Sequence, residues 1–162
     1  IEYNKILQVN MSKLSETFDS AALDGDWRPM MEYICQQYHD TTSVRSLIQG
    51  ERNIQGFMTA YFSLDPYYLT NPEVELNHGY CDFFLMPDFH RCATTGHAYI
   101  VELKYLKPDA TEEAAAKQWN EAVEQIRGYG EGKAVRVLAG KTALHLIVVQ
   151  IKGHSLYRMD EV

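Results

Sequence analysis

The chain has 162 residues, a formal net charge of −7, and 46% hydrophobic and 23% charged residues. That is enough for one compact domain, too little for two substantial ones, and the composition of an ordinary globular protein. No apolar run approaches the roughly 18–20 residues that cross a bilayer, so no membrane partner is expected, and the acidic balance works against tight, non-specific nucleic-acid binding, which needs local positive charge.

Taken in chain order, residues 2–20 set Ile6, Val9, Leu14 and Phe18 among polar neighbours at helical spacing. Asp19 and Ser20 can cap a short turn, and Leu23-Asp24-Gly25-Asp26-Trp27 breaks the pattern. A second helix is expected over 27–38, with Pro29 in its first turn and Met30, Ile34 and Tyr38 on one face. His39, Asp40, Thr41, Thr42 and Ser43 form a polar break after it. A longer helix is expected over 44–62, where Leu47, Ile48, Ile54, Phe57, Met58 and Tyr61 give an apolar face, Gly50 and Gly56 weaken the propensity, and Asp65-Pro66 ends it.

A strand follows at 68–76, and Asn71-Pro72 within it marks an edge. Two strand-length apolar runs come next, at 80–86 and 98–106. The turn-prone Pro87, Asp88, Thr94, Thr95 and Gly96 separate them, most simply as a hairpin. Thr111 or Asp109 caps a helix over 114–129 that stops at Gly130 and Gly132. Two more strands, at 135–138 and 143–151, close the domain across Gly140-Lys141-Thr142. Helices, strands, a helix and strands in that order read as a mixed α/β domain.

The opening IEYNKILQVN has neither the basic nor the apolar part of a signal peptide and no initiator Met, and reads as part of a longer chain. Three cysteines, Cys35, Cys81 and Cys92, are an odd number without a C-x-x-C pair, which fits a reducing, cytoplasmic setting. His78-x-x-Cys81 and His90-x-Cys92 lack the spacing of a zinc site. There is no G-x-x-x-x-G-K-[ST] phosphate loop, so no ATPase of that type lies in this chain. Lys133, Arg136, Lys141, Lys152 and Arg158 fall late in the sequence and read as scattered surface charge rather than a phosphate-facing patch.

Three polar residues interrupt the two apolar runs of the hairpin: Asp82 in the first, Glu102 and Lys104 in the second. Residues at i and i+2 of a strand share a face, roughly 6.5–7 Å apart, so Glu102 and Lys104 point one way while Val101 and Leu103 point into a core. Pairing the strands can bring Asp82 beside Glu102, two carboxylates and an ammonium at one spot, suited to a hard cation. The triplet alone reads more simply as an exposed Glu–Lys pair on a solvated strand face.

Asp82 in a Gly79-x-x-Asp82 strand, followed by Glu102-Leu103-Lys104 inside an apolar strand, resembles the signature of the PD-(D/E)XK nuclease superfamily. More narrowly, it resembles the nuclease-like domain that follows an AAA-ATPase-like domain in many bacterial proteins. The likeness takes in Leu23-Asp24-Gly25-Asp26, the region from Glu51, and Glu121–Ile126 with Tyr129. It implies a restriction-endonuclease-like mixed central sheet flanked by helices, in one domain over 1–162 with a helical lead-in at 1–43 and a core at 44–162.

It also implies Mg²⁺- or Mn²⁺-dependent hydrolysis of DNA, with an AAA-ATPase-like domain in the parent chain. Asp82, Glu102, the carbonyl of Leu103 and Glu51 would serve the metal; Lys104 and Gln125 would serve the chemistry. Gln125 and Tyr129, four residues apart, share a helix face, whereas Glu75 reads as a strand-end surface charge. The alternative is a catalytically silent copy of the fold used for nucleic-acid or protein binding.

Overall fold

A computed structural model describes residues 9–44, 50–76 and 79–162, the side chains of 42–44 and 71–76 excepted. The expectations for Ile6, Leu47, Ile48, His78 and the Glu75 side chain lie outside the described residues. Helix α1 (Met11–Asp19) begins under Asn10, whose side chain accepts the Lys13 N–H, and runs into a π-helical turn, Ser20–Asp24. Gly25 closes that turn at φ 76°, a left-handed conformation that favours glycine. Helix α2 (Arg28–Val44) and helix α3 (Glu51–Phe62) follow. The strands are β1 (Tyr68–Leu76), β2 (Gly79–Pro87) and β3 (His97–Leu106); after helices α4 (Glu112–Gly130) and α5 (Lys133–Ala139) come β4 (Ala143–Lys152) and β5 (Ser155–Glu161).

The five strands form one sheet in sequence order, antiparallel except for β3 and β4, which run parallel. A parallel pair needs a long crossover, and α4 and α5 supply it. Strand alternation divides the core in two. Phe83, Leu85, Tyr99, Val101, Leu103, Ile147, Val149 and Ile151 pack with α1, α2 and α3. Phe84, Ile100 and Val148 pack with Trp119, Ala122 and Ile126 of α4 and Val135 of α5. The fold is therefore a mixed α/β sheet with helices on both faces and a helical N-terminal segment, as the sequence implies. No helix among the described residues is long and apolar enough to cross a membrane.

Two expectations are corrected. Residues 135–138 are helix α5, not a strand: Val135 is buried while Val137 is 78% exposed, so the valines take different faces of a short helix between Gly132 and Gly140. Helix α2 continues through the polar break at 39–43, a stretch that contains no Gly or Pro to stop it. The helix expected over 44–62 is described only from Glu51. Strand β5, absent from the sequence reading, forms because Lys152 pairs with Ser155 across a two-residue Gly153-His154 turn, with Gly153 at φ 65°.

The lead-in helices are tied to the end of the sheet by a polar chain. Trp27 Nε1–H donates to Glu161 Oε2 (3.0 Å), Glu161 Oε1 meets His145 Nδ1 (2.6 Å), and His145 Nε2 meets His97 Nδ1 (2.8 Å). With both rings neutral and His145 donating to Glu161, His97 must donate to His145. Gly25 makes room for the His97 ring, because a Cβ there would lie 2.7 Å from His97 Cε1. Arg28 donates to Met159 O (3.4 Å) and pairs with Asp160 (3.4 Å), covering part of the β5 edge.

Candidate active site

The site forms where β2 leaves β3. The two strands pair through Leu85↔Tyr99, Phe84↔Ile100 and Phe83↔Val101. The same register would next set Asp82 opposite Glu102, but the ladder stops there. Strand β1 stays paired with β2 as far as Leu76↔Gly79, so the β1–β2 hairpin diverges as a unit. Cys81, fully buried, clusters with Phe84, Ile100 and Tyr129 on the α4 side. In the gap, Asp82 Oδ2 accepts the Leu103 N–H at 2.7 Å, replacing the sheet hydrogen bond that β2 no longer supplies. The N–H and C=O of one strand residue lie on the same edge, so the Leu103 carbonyl faces this gap as well.

Glu102 and Lys104 point to the α4 face, as alternation requires. Glu102 is 1% exposed, which rules out a solvated Glu–Lys pair. Lys104 Nζ lies 2.7 Å from Glu102 Oε1, whereas Glu102 Oε2 is buried without a hydrogen-bond partner. Burial, reinforced by the Asp82 carboxylate and to a smaller extent by Glu51, pushes Glu102 up to about 7 against the opposing pull of the Lys104 ammonium. Burial works against the Lys104 charge, but the carboxylates of Glu102, Asp82 and Glu51 outweigh it and raise Lys104. Lys104 therefore stays protonated while Glu102 sits near its titration point at neutral pH.

Helix α4 completes the cluster. Thr111 caps it, its side chain accepting the Ala114 N–H. Lys104 Nζ donates to Gln125 Oε1 (3.3 Å), Gln125 Nε2 donates to the Tyr129 hydroxyl, and that hydroxyl donates to Tyr80 O (2.8 Å). Glu51 is the exposed first residue of α3, not a mid-helix residue, and its charge reaches both Glu102 and Lys104. The structure thus brings Asp82, Glu102, Leu103, Lys104 and Gln125 together, with Glu51 at the margin.

The sequence reading does not single out Gln150. It lies across the ladder from Lys104, is 1% exposed, and donates to Ala115 O (3.0 Å) and Gln118 Oε1 (2.9 Å). Its one signal is an amide inside the apolar run Leu146–Ile151. The late basic residues divide: Lys152 Nζ donates to Ala110 O and Arg158 stacks on Trp119, whereas Lys133 and Arg136 are exposed on α5.

Among the described residues no group of three or more His, Cys, Asp or Glu side chains is arranged to hold a metal ion. What the site offers is two carboxylates, one with an unpartnered buried oxygen, and a carbonyl edge. All are oxygen donors, and few in number. They fit a hard divalent cation that keeps waters and draws further ligands from a phosphate, and not a zinc centre.

A family model for the PD-(D/E)XK nuclease superfamily matches residues 49–161. No curated protein matches the chain. The match covers well over half the chain, taking in all five strands and the acidic–lysine cluster, and on that extent the chain belongs to the PD-(D/E)XK nuclease superfamily.

Proposed function

We propose that this chain is a divalent-metal-dependent nuclease domain that hydrolyses phosphodiester bonds of DNA. Nucleases of the superfamily generally use divalent metals, and in this reading the ion is Mg²⁺ or Mn²⁺, held by Asp82, Glu102 and the Leu103 carbonyl, with Glu51 in outer contact. Such an ion, when bound, lowers the pKa of a water and stabilises charge on phosphoryl oxygens. Asp82 spans the gap through the Leu103 N–H and so fixes the spacing of the two carboxylates. Lys104, protonated throughout, sets a positive charge beside the reacting phosphate, and Gln125 orients it. The observation that carries the reading is the buried Glu102 carboxylate with one oxygen on Lys104 and the other unpartnered.

In this reading the cysteine pattern supports a cytoplasmic setting, and the resemblance adds an AAA-ATPase-like domain in the parent chain, with residues 1–43 as the lead-in to the nuclease core. A second reading, a silent copy of the fold used for binding, draws support from the net charge of −7. Single-turnover cleavage of labelled DNA with Mg²⁺ separates the two. Lys104→Met nearly keeps the side-chain shape, and losing a charge that acts in the transition state costs about 10²–10³-fold in rate. We expect that loss with little change in DNA affinity. The mutant should also melt lower near neutral pH, because Lys104 is the ion partner of the buried Glu102, so rates are compared well below the mutant's melting temperature. Equal rates in mutant and wild type remove Lys104 from the mechanism, and no cleavage by wild type on single- or double-stranded DNA favours the silent module.

A further inference from the structure

We infer that Tyr129 is a positioning residue: seated on Gly79, its hydroxyl fixes the Gln125 amide and through it the Lys104 ammonium. The inference rests on the reading of Lys104 as the charged group of the site. Gly79 has no need of glycine for its backbone angles, since its φ is not in the left-handed region. It needs the space. A Cβ at Gly79 would lie 2.7 Å from Tyr129 Cε1 and 3.0 Å from the hydroxyl, closer than real carbon contacts allow. The phenol ring therefore lies against the β2 backbone three residues before Asp82, where the hairpin has already left β3.

The hydrogen-bond directions follow from that seat. The Tyr129 hydroxyl has one proton and donates it to Tyr80 O at 2.8 Å. It must then accept from Gln125, which requires the NH₂ end of the amide. The other end, Gln125 Oε1, is left facing Lys104 Nζ at 3.3 Å. Without that hydroxyl the amide would be oriented by Lys104 alone. The tyrosine fixes it independently, so Lys104 has two acceptors, Glu102 Oε1 and Gln125 Oε1. Glycine in β2, tyrosine and glutamine in α4, and lysine in β3 form one chain. Its ends are the β2 backbone beside Asp82 and the ammonium beside Glu102, so movement of the hairpin relative to α4 is transmitted to the charge.

The test uses the whole chain and reads the lysine directly. A hydrogen-bonded ammonium exchanges slowly and gives a ¹H–¹⁵N signal of its own, assigned here by its loss in Lys104→Met. Tyr129→Phe and Gly79→Ala should each lose or strongly broaden the Lys104 signal while backbone spectra away from the site stay unchanged. Gly56→Ala, where nothing lies within 4 Å of the added carbon, should leave it intact. In cleavage, Tyr129→Phe should lower the single-turnover rate by about 10–100-fold, as loss of a supporting contact typically does, without weakening DNA binding. A Lys104 signal that persists in Tyr129→Phe, or that wild type never shows, overturns the inference. If Tyr129→Phe fails to fold, Gly79→Ala, which keeps the tyrosine, decides by the same signal. Absence of cleavage by wild type counts against the nuclease reading alone, because the ammonium spectra still decide the positioning chain.

Discussion

Glu102 is a carboxylate with almost no water around it, and its proton affinity follows from that. Taking an ion out of water costs several kcal/mol unless a partner compensates, and here one oxygen has Lys104 and the other has none. The folded chain holds the Glu102 proton up to about pH 7, against an ordinary value of 4.5. The sign is that of a raised carboxyl: its contribution to stability is complete below about pH 4.5 and is lost as the pH rises through 7. Glu102→Gln keeps the shape and removes the titration. It should flatten the decline in denaturant stability over this range, an effect on the order of 1–3 kcal/mol. Identical pH slopes in mutant and wild type would contradict the assignment. Asp82, Glu102 and Lys104 were legible in the sequence because polar residues in apolar strands are costly and therefore conspicuous. The seat of Tyr129 on Gly79 was not, because it joins residues 50 positions apart and depends on a hairpin leaving its neighbour.

At the scale of elements, sequence patterns work where local signals and packing agree. Helix α4 is marked by the Thr111 cap and a closing glycine, and β1, β2 and β3 are marked by apolar runs between turn residues, so they fall where the patterns place them. Helix α5 deceives because Val135 and Val137 alternate as strand residues would, while its place in the crossover, between glycines, makes it a helical turn. Strand β5 is polar and exposed along much of its length, and only its pairing with β4 reveals it.

The chain from Trp27 through Glu161 and His145 to His97 gives these elements a pH dependence. Burial chiefly, then the neighbouring His145, lowers His97, while Asp24 and Glu161 pull the other way and fall short. Tyr99 stacks on His145 and closes the remaining side. Charging His97 places a partly buried imidazolium against the His145 ring at 2.8 Å. A depressed histidine contributes stability that is present above its ordinary value of 6.5 and lost as the pH falls through the folded value. Melting temperature should therefore fall on acidification more steeply in wild type than in His97→Asn. Hydrogen exchange should show the opening first at Gly25–Met31 and at the end of β5. Parallel pH profiles would show that His97 does not titrate as described.

For the whole molecule, the sheet separates two kinds of interior. The face toward α1, α2 and α3 is apolar through Phe83, Val101, Leu103 and Ile147. The face toward α4 carries Glu102, Lys104 and Gln150 among Phe84, Ile100 and Val148. Polar groups so concentrated on one face of one sheet are costly to stability, and the opening at Asp82 is the only place among the described residues where the β2–β3 ladder gives way to them. The net charge of −7 disfavours approach of a phosphate backbone, and in the proposed reading a bound cation would offset it at the site. The central claim is that this opening holds a divalent ion, and titration of Mn²⁺ into isotopically labelled chain tests it most directly. Resonances of Asp82, Glu102, Leu103, Lys104 and Gln125 should broaden first, at low millimolar metal, be restored by excess Mg²⁺, and stay sharp in Asp82→Ala. Broadening that spares these residues, or that is unchanged in Asp82→Ala, would contradict it.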